Sequence, residues 1–243
     1  MDNFRAQCEQ WKLQLTPRME EQFERYYELL KEWNSFMNLT AITEREEVYK
    51  KHFLDSLSFV CAKEQMEKIL SADISKDELR LIDVGTGAGF PAVPLKIVFP
   101  HLQVTLLDAL QKRIDFLNEV IRSLGLEGIE TVHGRAEDFA SNEVYRETYD
   151  LCVSRAVAGL NVLSEYDLPF VKVGGLFVSY KSEKSEEELK TAEKALHILG
   201  GEVSDRVSFS LYGAQRDLIL IKKVENTPKK YPRKAGTPNK KPL

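Results

Sequence analysis

Leu79-Arg80-Leu81-Ile82-Asp83-Val84-Gly85-Thr86-Gly87-Ala88-Gly89-Phe90 is the stretch that decides the fold of this chain. Leu79, Leu81, Ile82 and Val84 make an apolar run of strand length, and three glycines at alternate positions follow. Pro91 and Pro94 then open a helix through residues 95–99, where a missing amide hydrogen does little harm. A strand that breaks into a glycine turn and enters a helix brings bare backbone close to a ligand. It also aims the unpaired N–H groups of the helix N-terminus at that ligand.

Two ligand classes use such a turn. Dinucleotide sites want Gly-x-Gly-x-x-Gly, the third glycine letting the helix pack on the strand. Here the spacing is Gly-x-Gly-x-Gly, and Phe90 fills the place of that third glycine. Asp83 sits two residues before Gly85, where a carboxylate would welcome an ammonium and repel a pyrophosphate. Acid-x-Gly-x-Gly-x-Gly resembles motif I of the S-adenosylmethionine methyltransferases of Rossmann-like fold. A plain tight turn would need three glycines, an acid and two prolines to coincide.

The rest of the chain fits one large domain with small extensions. It has 243 residues, 43% hydrophobic and 30% charged. Cys8, Cys61 and Cys152 are too few and scattered for a disulfide framework, and His52, His101, His133 and His197 lack ligand spacing, so no metal is expected. The N-terminus lacks a basic start and apolar core, no stretch approaches the roughly 20 apolar residues that span a bilayer, and a cytoplasmic protein is expected. Nothing demands a dimer, so a monomer is expected. The net charge of −4 hides an asymmetry: residues 226–243 carry six cations and no acid. A polyanionic partner would be met by a local basic contact.

Taken in order, residues 1–15 read as a short helix. Thr16 caps a longer one with Pro17 at its first position, and Phe23, Tyr26, Tyr27, Leu30, Trp33 and Met37 recur on one face as core. Thr43 and Glu46 suggest a capping box for the next helix. On that helix His52 and Asp55 lie three apart and can pair, a helix-to-body hydrogen bond being preferred to catalysis. From Leu79 onward strands alternate with helices. Strands are expected at 79–84, 104–107, 129–132, 149–153 and 176–180, with helices at 114–124 (stopping at Gly125), about 160–172 and 186–199. Two late strands, near 203–209 and 217–222, suggest a closing antiparallel hairpin. The pattern predicts an α/β fold with a mostly parallel seven-stranded sheet flanked by helices. Domain limits follow as a helical extension at 1–70, a methyltransferase-type domain at 71–225, and a basic, proline-rich arm at 226–243 read as extended rather than core.

In such a sheet the ligand lies beyond the carboxyl ends of the strands. Gly85, Gly87 and Gly89 offer backbone approach. Asp108 ends the second strand, placed to accept both hydroxyls of a ribose. Ala136 and Glu137 follow the third, where an amide and a carboxylate can read an adenine edge. Arg155 ends the fourth, facing the methionine part or the substrate. Ser154-Arg155-Ala156-Val157 stands where an adenine-amine methyltransferase would carry Asn/Asp-Pro-Pro-Tyr/Phe. Cys152 lies in an apolar strand, a poor place for a nucleophile. A guanine N7 target needs neither device, because that nitrogen has a free lone pair and loses no proton.

Four segments carry a wider resemblance: Asn38-Leu39-Thr40 with His52-x-x-Asp55-Ser56-Leu57; Asp83 through Pro91; Ser154-Arg155-Ala156; and the tail from Tyr231 to Pro242. On these the chain closely resembles the bacterial small-subunit ribosomal RNA methyltransferases once called glucose-inhibited division protein B. The resemblance implies S-adenosylmethionine-dependent N7 methylation of one guanine in 16S ribosomal RNA, on naked RNA or on the small subunit. It implies cofactor contacts at Gly85, Phe90, Asp108, Ala109, Leu110, Ala136, Glu137 and Arg155. Ala92 and Gly134 depart from common family residues without removing a ligand. The tail then reads as an RNA-positioning arm through Lys229, Lys230, Arg233, Lys234, Lys240 and Lys241, with Tyr231 available to stack on a base. On this reading truncation after Asn226 weakens RNA binding and leaves cofactor affinity intact. Competing classes are a non-catalytic ribosome-assembly or nucleoside-binding protein, a small-molecule methyltransferase and, weakest, an NAD oxidoreductase.

Overall fold

A computed structural model describes residues 2–182 and 185–243; Met1, with which the first helical reading begins, lies outside the described residues. Five strands run parallel: β1 (Arg80–Val84), β2 (Gln103–Asp108), β3 (Ile129–His133), β4 (Tyr149–Arg155) and β5 (Val171–Lys181). β6 (Gly201–Leu211) and β7 (Ala214–Lys223) form the closing hairpin. Its two-residue loop, Tyr212-Gly213, has positive φ at both positions (51° and 78°), the backbone that matches strand twist in a tight hairpin. The sheet order is β3-β2-β1-β4-β5-β7-β6. β7 therefore inserts antiparallel between β5 and β6, a placement that chain order alone does not show.

Both faces of the sheet are covered, so its central strands are apolar on both sides. Alternate residues feed two cores. Leu81, Val153, Val178 and Leu220 point to one. Ile82, Cys152, Phe177 and Ile219 point to the other. The first core is shared with the N-terminal extension: α1 (Asp2–Gln10), α2 (Pro17–Met37), α3 (Arg45–Val48), a π-helical turn (Tyr49–Leu54), α4 (Asp55–Leu57), a 3₁₀ segment (Ser58–Ala62) and α5 (Lys63–Leu70). Thr16 caps α2 as expected, its hydroxyl accepting from Met19 N at 3.3 Å. The buried stripe of α2 is Phe23, Tyr26, Leu29, Leu30 and Met37; Tyr27 and Trp33 stay half-exposed at its margin. α6 (Ala92–Val98) and α7 (Gln111–Leu124) complete this face, α7 ending at Gly125 with φ 59°. On the opposite face lie α8 (Ala136–Phe139), α9 (Leu160–Asp167) and α10 (Ser185–Leu199), with α11 (Thr237–Lys240) against α9.

Three local expectations are corrected. The helix after Thr43 begins at Arg45 with Glu44 as its N-cap and no side-chain cap bond, so Thr43 and Glu46 make no capping box. β5 starts at Val171, because Gly174 and Gly175 lie within the strand beside a register shift at Tyr149/Leu151; the helix before it ends at Asp167, continued by a 3₁₀ turn to Phe170. The basic arm is not an extended projection: Thr227, Tyr231 and Pro238 are buried against the second face.

Candidate functional site

The switch in strand order falls between β1 and β4, and the glycine turn sits there. Gly85, Gly87 and Gly89 all have positive φ (72°, 63° and 94°), which explains the residue type at each. Their surroundings differ. A Cβ on Gly89 would lie 2.7 Å from the Tyr26 hydroxyl and from Val93, so α2 demands that glycine. A Cβ on Gly85 would lie 2.9 Å from Val157. Only Gly87 of the three opens to free space, its nearest neighbour being Gly85 O at 4.0 Å.

Asp83 does not reach the cleft. It is fully buried, accepts from Thr86 Oγ1 (2.9 Å) and from Ala92 N at the start of α6 (3.2 Å), and so braces the turn. Burial pushes its carboxyl up to about 7. The hydroxyl and the helix N-terminus both bond Oδ2, and the buried Oδ1 has no hydrogen-bond partner among the described residues. Phe90 likewise spends its ring inside the protein, stacked on Tyr26 and, at 4.7 Å, on His52, with the Arg155 guanidinium over it.

Asp108 ends β2 beside the open glycine. Its carboxylate accepts from Gly87 N (2.9 Å), Leu110 N (2.9 Å) and Arg113 Nη1 (3.1 Å). Ala109 and Leu110 are exposed at the same edge. Next to them lies α8: Gly134 N donates to Asp108 O, and His133 contacts Ala109 O. Glu137, in the first turn of α8, accepts from Gly236 N of the arm at 2.8 Å. Arg113, on the partly exposed side of Asp108, was missed by sequence reasoning; its five-residue offset from Asp108 at the start of α7 was the available signal.

Across the edge, a cleft of about 390 Å³ opens at the carboxyl ends of β4 and β5, with His52, Asp55, Arg155, Tyr180, Lys181 and Arg216 among its walls. His52 and Asp55 do not pair. His52 Nε2 meets Thr40 Oγ1 at 2.8 Å, and Asp55 holds Arg155 and Arg216 through separate oxygens, each at 2.7 Å. Burial, with Arg155 nearby, lowers the His52 imidazole to about 4 and keeps it neutral. Tyr180 donates to Ser56 O at 2.9 Å. Arg216 carried no sequence signal, because it lies on β7, 161 positions from Asp55. Ala156, just beyond Arg155, has φ 57°, a left-handed backbone uncommon for a residue with a Cβ.

The arm separates its cations. Arg233 clasps Glu165, which is fully buried on α9, through its backbone N–H and its guanidinium. Tyr231 is only 9% exposed and belongs to the core. Arg233 and Tyr231 are thus both engaged by the protein itself. Lys229, Lys230, Lys234, Lys240 and Lys241 are all exposed.

The residues fit S-adenosylmethionine: one glycine is open to free space, a carboxylate stands beside it at the ribose position, and Leu110 leaves an apolar surface 44% exposed next to both. Among the described residues there is no group of three or more His, Cys, Asp or Glu placed to hold a metal ion, and no helix is long and apolar enough to cross a membrane.

The chain is similar to known proteins along most of its length. The family described as rRNA small subunit methyltransferase G matches residues 19–219. A ribosomal RNA small subunit methyltransferase G of Lachnoclostridium phytofermentans is 56% identical over 225 residues, covering 92% of this chain and 89% of the relative. Those of Leuconostoc mesenteroides (51% identical; 94% and 93% covered) and Lactococcus lactis (47% identical; 100% and 98% covered) are similar along nearly their whole length. Among solved structures, a mutant of MtNAS shares the fold at TM-score 0.53 and 13% identity, over 85% of this chain and 76% of that one. TrmN from Thermus thermophilus does so at TM-score 0.50 and 16% identity, over 72% and 53%.

Proposed function

Because the chain belongs to the rRNA small subunit methyltransferase G family, we infer that it transfers a methyl group from S-adenosylmethionine to N7 of one guanine in 16S ribosomal RNA. The observation that carries the reading is the pairing of two half-sites on one sheet edge. The open glycine and Asp108 form one, and the cleft beside Arg155 forms the other.

The cofactor would be held by the backbone at Gly85 and Gly87, the Asp108 carboxylate, Ala109, Leu110, Ala136 and Glu137. When bound it supplies a methyl group made electrophilic by the attached sulfonium. The chain's task is then position. Guanine N7 loses no proton on methylation, so the site needs no general base. Asp83 and His52 are not placed to act as one: Asp83 is sealed under the turn, and His52 spends Nε2 on Thr40. Asp55 fixes Arg155 and Arg216 at the cleft wall, so the cations there are preorganised before substrate arrives. The five exposed arm lysines supply phosphate contacts outside the cleft.

The test is transfer of labelled methyl to 16S ribosomal RNA lacking its native methylation, followed by mapping of the base. N7-methylguanosine at a single position is expected. Cofactor binding with no label, on naked RNA and on 30S particles alike, would overturn the reading in favour of an assembly factor.

A further inference from the structure

The arm that sequence assigns to RNA is fastened along the protein and reaches the cofactor side of the site at Gly236. Thr227 is tied first: its N–H donates to Glu147 (2.7 Å), and its hydroxyl accepts from the buried Lys223 amine (2.7 Å). Arg146 then donates to the carbonyls of Thr227 (2.7 Å) and Tyr231 (2.9 Å). Arg233 closes on the buried Glu165 of α9, and Gly236 N reaches Glu137 of α8 at 2.8 Å. Each tie is one backbone group or one buried charge, so the path of the arm is specified residue by residue.

α8 depends on this. It has four residues and no side-chain cap at its start, too short to hold its own geometry. Glu137 is a long side chain whose free rotamers would cost entropy on meeting a ligand. Gly236 fixes one carboxylate oxygen and leaves the other without a partner from the arm. Gly236 is suited to this, since its φ of 79° turns the chain back so that its N–H faces α8.

We propose that the C-terminal arm is a positioning element of the cofactor site: anchored on α9 by Arg233 and Glu165, it holds α8 through Gly236 on Glu137, and with it the wall that reads adenine. The proposal rests on the reading of Ala136 and Glu137 as adenine contacts. It reverses the expectation that loss of the arm leaves cofactor affinity intact. It also puts the exposed lysines and Gly236, which steadies the adenine wall, on one short segment, so RNA held by the lysines steadies that wall, and by linkage the cofactor strengthens RNA binding equally.

Two variants test it. A chain ending at Lys234 loses Gly236 and α11 but keeps Tyr231 and the Arg233–Glu165 clasp. Gly236→Pro in the full chain removes the donor, and proline cannot adopt the native φ. Folding is checked by circular dichroism and thermal melting. For both variants the cofactor Kd should rise about tenfold; for Gly236→Pro, which keeps every arm lysine, the cofactor KM should rise in parallel while kcat at saturating cofactor and RNA is retained. Discrimination between S-adenosylmethionine and its inosine analogue, which lacks the exocyclic amine, should shrink in parallel; a merely structural arm would weaken both equally. Unchanged Kd and discrimination in both variants, with Glu137→Ala in the full chain losing both, would overturn the proposal alone. Glu137→Ala that alters neither would overturn the adenine reading beneath it.

Discussion

The N-terminal extension and the C-terminal arm both reach the carboxyl edge of the sheet, from opposite faces, and they hold it by different physics. The extension brings an aromatic core: Phe4, Phe23, Tyr26 and Phe53 pack together beneath Phe90 of the glycine turn. Its one buried acid, Asp55, is shared between Arg155 and Arg216. The arm brings one buried aromatic ring, Tyr231, with Pro238 and the Thr227 hydroxyl beside backbone groups and the Arg233–Glu165 clasp. Apolar burial is non-directional and tolerates small shifts, whereas a charged hydrogen bond fixes position and is costly to leave half-made. The extension therefore sets the stability of the site, and the arm sets its geometry.

Asp55→Ala would break that contrast most severely. It leaves two guanidiniums without their carboxylate at a largely buried position, at a cost of about 4 kcal/mol. Urea unfolding should show the loss, and methyl transfer should be abolished; a midpoint like that of the parent would remove Asp55 from its role. Arg233→Ala comes next, stranding the buried Glu165 at about 3 kcal/mol. If thermal melting shows no change, the arm is not fastened as described.

The third prediction concerns pH. Unfolded, His52 takes up its proton near 6.5; folded, only near 4. Its contribution to stability is therefore full above about pH 6.5 and falls as pH drops towards 4, by on the order of 2–3 kcal/mol. Asp83 runs the other way: its carboxyl is raised from 3.8 to about 7, so the stability it contributes is lost as pH rises through that window. Asp83→Asn removes the opposition, and the acid-side loss should steepen between pH 6.5 and 4.5. A flat urea midpoint in that variant would dismiss His52 as the sensitive group.

Smaller effects sharpen the comparison. Asp108→Ala removes the carboxylate that joins Gly87, Leu110 and Arg113, and cofactor affinity should fall roughly 10- to 30-fold by calorimetry. Lys240→Gln with Lys241→Gln should leave melting unchanged, weaken RNA binding, and flatten the plot of log K against log salt by about 1.4 for single-stranded RNA. An unaltered slope would show that these exposed lysines meet no phosphate.

Much of the site was legible because its signals are local. The three glycines, the acid at the end of β2 and the prolines that open α6 depend on backbone conformation within a few residues. So do the Thr16 cap and the stop at Gly125. What was misread depends on partners far along the chain. Gly89 looks like a phosphate-loop glycine until Tyr26 is seen against it. Tyr231 looks like a base-stacking ring until it is found in the second core.

Sequence by itself determined the strand–turn–helix at residues 79–98, the alternation that yields a mostly parallel sheet, and the strand ends where ligand chemistry gathers. These follow from side-chain periodicity, glycine freedom and capping, which act over one or two turns of chain. Tertiary structure decided the insertion of β7 between β5 and β6, the sharing of Asp55 by Arg155 and Arg216, and the fastening of the arm on Glu165 and Glu137. Those pairings join residues 68 to 161 positions apart. Charges so far apart in the chain meet only after the sheet and its crossovers have brought the elements carrying them together.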